Sequence, residues 1–86
     1  MSIILFGTAA NADPAYDGTI DQAFVTAPDG STSASLPTVY LTLASKATVR
    51  DYGLCFDVPA PGSGAYKLSL HEYRSKLTAS VPFQVP

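Results

Sequence analysis

The sequence predicts an all-β fold, a small antiparallel β-sandwich of about seven short strands. Three observations predict it. Apolar residues recur at every second position in short runs, most plainly in Tyr66-Lys67-Leu68-Ser69-Leu70-His71, where Tyr66, Leu68 and Leu70 share one face and Lys67, Ser69 and His71 the other. That is the period of a strand with one face buried. Clusters of Gly, Pro, Asn, Asp and Ser separate the runs, and turns are built from these residues. No window sustains a helical period, because Pro and Gly interrupt every stretch long enough to hold one. With 86 residues the chain forms one domain, residues 1–86, since two cores of that size could not both be filled.

The elements follow in order. Residues 2–6, carrying Ile3, Ile4, Leu5 and Phe6, form the first strand, ended by Gly7. A loop rich in Ala, Asn, Asp and Pro closes with Asp17-Gly18. Residues 19–26 form the second strand, with Ile20 and Phe24 on one face and Ala23 and Val25 on the other. Residues 27–37 read as a loop around the turn Pro28-Asp29-Gly30. Residues 38–43 alternate, Val39, Leu41 and Leu43 inward and Thr38, Tyr40 and Thr42 outward. A short segment 47–52 leads through Gly53 to 54–58, where Leu54, Phe56 and Val58 share a face, and a single helical turn fits 44–49. A Pro/Gly turn at 59–63 opens onto 66–73. The last strand is 78–85, with Val81, Phe83 and Val85 aligned and Pro82 admissible only at a sheet edge.

Composition narrows the function classes. Charged residues make up 14% of the chain and the net charge is −2, which argues against nucleic acid as a partner. Before Lys46 the charges are Asp13, Asp17, Asp21 and Asp29; from Lys46 onward Lys46, Arg50, Lys67, Arg74 and Lys76 outnumber Asp51, Asp57 and Glu72. Halves placed at different ends would give a dipole suited to head-to-tail contacts. One cysteine allows no internal disulfide and one histidine no Cys/His zinc cluster, so no cofactor or metal is expected. The run Ile3-Ile4-Leu5-Phe6 is too short for a secretory core, which needs roughly 7–15 apolar residues. No stretch approaches the roughly 20 residues of a membrane span. Synthesis in a cytoplasm without a signal peptide is the expectation.

The segment Gly64-Ala65-Tyr66-Lys67-Leu68 resembles the approach to the sixth strand in immunoglobulin-like and fibronectin-type sandwiches. The resemblance makes Tyr66 a tyrosine-corner residue, its hydroxyl bonded to backbone of the preceding turn, and gives Leu68 the place of a core cysteine. Val81-Pro82-Phe83-Gln84-Val85 is similar to the terminal strand of bacterial and phage immunoglobulin-like modules. Antibody-type kinship is excluded, since there is no Trp and no cysteine pair.

Chemistry is sparse. Cys55 and His71 are the one conceivable thiolate–imidazole pair, but Cys55 sits between Leu54 and Phe56 in a strand, where a thiol is usually a packing group, or, since its parity opposes the Leu54/Phe56 face, a residue under a loop or at an interface. Gly62-Ser63-Gly64 lies in a turn before a strand and lacks the nucleophile-elbow pattern. Asp13, Asp17, Asp21 and Asp29 read as turn formers ahead of a calcium site. No catalytic residue is assigned. Contact surfaces remain: Lys67, His71, Tyr73, Arg74 and Lys76 on the sixth strand and its turn, Tyr40 elsewhere, and the apolar Ile3, Ile4, Leu5 and Phe6.

These features lead to the expectation of a non-enzymatic structural protein that assembles in many copies, a bacteriophage head-decoration or tail-surface component located in the virion. Its partners would be itself or capsid and tail proteins. Residues 2–6 would then act as an arm that pairs with a neighbour's sheet and leaves its own domain folded when removed. The alternative is a recognition module for glycan or a cell surface, either free-standing or cut from a longer chain.

Overall fold

A computed structural model describes residues 2–59 and 62–86. The protein is all-β, with seven strands: β1 (Ser2–Ala10), β2 (Gly18–Thr26), β3 (Thr32–Ala34), β4 (Leu41–Leu43), β5 (Thr48–Asp57), β6 (Gly64–Glu72) and β7 (Thr78–Val85). They form two antiparallel sheets. One contains β1 and β5 alone; the other runs β3-β2-β6-β7, with β4 also paired to β2. β3 pairs with Phe24, Val25 and Thr26, whereas β4 pairs with Gly18, Thr19 and Ile20, so the two short strands take opposite ends of β2.

The core lies between the sheets. Ile3 and Phe56 face inward from the small sheet, and Ala23, Val25 and Tyr66 from the large one, joined by Ala27, Val39 and Val58. Leu54, Leu68 and Leu70 pack against this cluster, as the alternation requires. Ser35 links the layers: its N–H donates to the Ala23 carbonyl, and the next N–H, that of Leu36, donates to the Cys55 carbonyl at 2.8 Å.

Several boundaries differ from the sequence reading. β1 continues past Gly7 to Ala10, because a register shift between Gly7 and Ala9 lets pairing resume on Val49 and Thr48. Segments 47–52 and 54–58 are one strand, β5, which passes through Gly53 without a break. Thr32–Ala34 pairs within the expected loop 27–37, and only Leu41–Leu43 of 38–43 pairs at all. The expected helical turn is a reverse turn, in which Ala47 N–H donates to Ala44 C=O and Lys46 takes a left-handed φ of 62°. Ile20 joins the core side rather than the face of Phe24, since a register shift between Ile20 and Gln22 reverses its facing. β7 is an edge strand, which accommodates Pro82. Of the turn at 59–63, Ala60 and Pro61 lie outside the described residues.

Candidate functional site

The outward face of β1–β5 follows from its register. Ile3 stands opposite Phe56 and Leu5 opposite Leu54, and these four point inward. The intervening pairs, Ile4 with Cys55 and Phe6 with Gly53, therefore point out. Ile4 is 58% and Phe6 73% exposed, and Cys55 is exposed beside them. Leu36, anchored through its N–H to Cys55, is exposed at the margin and shares a shallow cleft with Ile4 and Cys55. The Phe6 ring lies over Gly53, where a Cβ would come within 2.9 Å of its Cε1, so the ring also covers backbone that the glycine leaves bare. No residue from Ser2 to Ala10 is charged. Asp57 of β5, exposed opposite Ser2, borders the face, and between it and Gly53 the face is apolar; among the described residues β1 pairs with β5 on one side only.

The expected contact residues divide on this geometry. Ile3, 9% exposed, belongs to the core and Leu5 packs against it, because both occupy inward positions of β1; neither is a surface contact. Ile4 and Phe6 remain. Lys67 and His71 lie on the outer side of the other sheet, and the His71 Nδ1 is hydrogen-bonded to Asp21 Oδ1 at 2.7 Å. Tyr73 and Arg74 belong to the β6–β7 turn, where Lys76 lies over the Tyr73 ring and Arg74 over that of Tyr16. Tyr40 is exposed immediately before β4, outside the strand. Cys55 and His71 sit on the outer faces of different sheets and form no pair.

The aspartates act locally. Asp13 accepts from the N–H groups of Ala15 and Tyr16, Asp17 from that of Ser45, and Asp29 from Ser31. Bonds from the Ser31 hydroxyl and N–H hold the Asp29 carboxyl below its ordinary value. Among the described residues no three His, Cys, Asp or Glu side chains gather as a metal site. Tyr66 donates its hydroxyl to the Gly62 carbonyl at 2.8 Å, the bond that the resemblance implied.

Two organising residues escaped the sequence reading. The Asn11 side-chain amide donates to the carbonyls of Tyr16 and Leu43 at 2.9 and 3.1 Å, fastening the first loop to the end of β4. Glu72 accepts from the N–H groups of Ser75, Thr19 and Arg74, which lowers its pKa from 4.5 to about 2. Neither belongs to a motif; Glu72 lies where the alternating strand ends and a turn begins, the only signal available.

Among the described residues no helix is long and apolar enough to cross a membrane. No family model matches the chain, and no curated protein or solved structure matches it.

Proposed function

We propose that this chain is a non-enzymatic structural protein that acts by protein–protein contact in a multi-copy assembly. The observation that carries this reading is the apolar group on the outer face of β1–β5, where Ile4, Phe6 and Leu36 are exposed together around Cys55, with Asp57 at its end. Scattered apolar residues are ordinary on a surface, but a contiguous group on a sheet with an open edge is a contact surface. A bacteriophage virion, with the protein on the head or the tail surface, is the setting that suits its small size, sparse charge and abundance of Ser, Thr and Ala. The Tyr66–Gly62 bond supports an immunoglobulin-like identity for the sandwich.

A second reading, glycan recognition, draws on the open cleft of Asp13, Tyr16, Asp17, Glu72 and Arg74. It is the weaker one, since all three carboxylates there already accept bonds from backbone N–H groups. Light scattering on the wild type and on the Ile4→Lys/Phe6→Lys double variant tests the contact reading. The expected result is an oligomer for the wild type and a folded monomer for the variant. Equal masses for the two would remove the β1–β5 face from any assembly.

A further inference from the structure

The inner side of β1 changes character along its length. Ile3 and Leu5 point into the core, and the next inward position is Gly7, which stands opposite Tyr52 of β5. Tyr52 packs against the core, but Gly7 brings no side chain, and a Cβ placed there would find no atom within 4 Å. Gly7 is exposed despite its inward position, so the interior opens to the surface at this point. Beneath it lies a cavity of about 110 Å³ between the two sheets. Leu5 and Leu54 line it from the small sheet, Ile20, Leu68 and Leu70 from the large one, and Val39 from the segment before β4.

An empty cavity destabilises a fold, because the atoms that line it lose packing partners. Water is a poor substitute here, since an enclosed water needs about two to four polar partners and these side chains offer none. A cavity of roughly 150 Å³ with such a lining holds benzene. The smaller space beneath Gly7 suits a slimmer group, a linear alkyl chain. Thr8, Ala9, Ile20 and Leu70 line both this cavity and a second, adjoining hollow. The hollow adds polar groups, from Glu72, Ser75 and Thr78. Glu72 is ionised and accepts from the N–H groups of Thr19, Arg74 and Ser75. A carboxylate offers about four acceptor sites, which leaves one for a hydroxyl. No Lys, Arg or His is among the described residues that line either space, so an anionic head group would meet Glu72 without a compensating cation.

We propose that the cavity beneath Gly7 binds the alkyl chain of a small amphiphile, with a primary alcohol as its head group in the adjoining hollow. The chain fills the space that Gly7 leaves between the sheets. The hydroxyl donates to Glu72 and accepts from Ser75 or Thr78. Apolar burial supplies the affinity, and the carboxylate of Glu72 discriminates against fatty-acid anions. The site does not depend on the assembly reading, since Ile4 and Cys55 point from the opposite face of the same sheet.

Methyl NMR on the folded chain tests the proposal, with 1-octanol as probe and octanoate at neutral pH as its charged counterpart. Millimolar 1-octanol should shift the methyl signals of Ile20, Leu68 and Leu70 and leave those of Ile4 in place. Octanoate should bind about tenfold more weakly, the effect of one uncompensated charge. Gly7→Val, whose Cβ meets no atom within 4 Å, should melt at a higher temperature and lose the octanol shifts. Gly7→Ala serves if Gly7→Val does not fold, and should bind octanol more weakly than the wild type. Absence of shifts at the three residues would overturn the proposal. So would shifts that persist unchanged in the Gly7 variants, or octanoate binding as tight as that of octanol. The same methyl shifts produced by raising the protein concentration alone would place a second copy over the opening at β1 and would also overturn it.

Discussion

Glu72 joins parts of the chain that lie 53 residues apart: its Oε2 accepts from Thr19 N–H at the start of β2, and its Oε1 closes the β6–β7 turn on Arg74 and Ser75. Each bond favours the ionised carboxylate, which sets the folded pKa at about 2 against an ordinary 4.5. A carboxyl lowered by folding contributes stability that is present above its unfolded pKa and lost as pH falls through its folded one. The wild type should therefore lose stability steadily from pH 4.5 down to about 2. Glu72→Gln should be less stable than the wild type at pH 7 and should show a shallower decline across that window, Asp29 supplying part of the remaining slope. Denaturation midpoints at pH 7, 4 and 2.5 provide the check, and parallel slopes for the two proteins would contradict the assignment. The same residue shows the limit of reading a site from sequence. Tyr66 was legible because its partner is Gly62, four residues away, within a recurring turn. The long-range roles of Asn11 and Glu72 were not, because the partners that join distant segments, Leu43 and Thr19, lie 32 and 53 residues off and only the fold brings them near.

At the scale of elements, alternation made β6, β7 and the Leu54–Phe56–Val58 face legible, since inward position and apolar residue coincide there. It failed where the backbone breaks its own period. Register shifts at Gly7/Ala9 and at Ile20/Gln22 leave no mark in a hydrophobicity pattern, and the three-residue strands β3 and β4 are too short to have a period. β1 is the instructive case. Sequence alone suggests a detachable arm at residues 2–6, but the strand supplies half of the small sheet and buries Ile3 against Phe56. Burying one such side chain fully contributes roughly 1.5–3 kcal/mol. A chain of this size has a net stability near the low end of about 5–15 kcal/mol. Removing residues 2–6 deletes Ile3 and Leu5 and strips β5 of most of its ladder. The truncated chain should lose its cooperative melt and its far-UV β signal. A folded monomer that merely fails to assemble would return the segment to the role of an arm.

For the whole molecule, the question is which surface makes contact. The radius of gyration is 13.3 Å, against about 12 Å for a compact domain of this length. The shape is extended, with a core only as wide as its two-stranded layer. Charge does not compensate, because the acidic first half and the basic second half do not part into opposite ends. Asp21 meets His71 across β2 and β6, and Asp13 and Asp17 share a cleft with Arg74. A head-to-tail electrostatic contact would need these groups apart. The exposed face of Ile4, Phe6 and Leu36 needs no charge at all. Salt separates the two modes of contact. Exposed ion pairs weaken as the Debye length falls from about 10 Å at 0.1 M to about 3 Å at 1 M. Apolar contacts hold under that change and strengthen in sulfate. Copies joined through the β1–β5 face should therefore keep their mass by light scattering from 0.1 to 1 M NaCl and gain mass in sodium sulfate. An oligomer that dissolves at high salt would instead place the contact on Lys67, Arg74 and Lys76, the cations of β6 and its turn, and would make the apolar face a covering of its own small sheet.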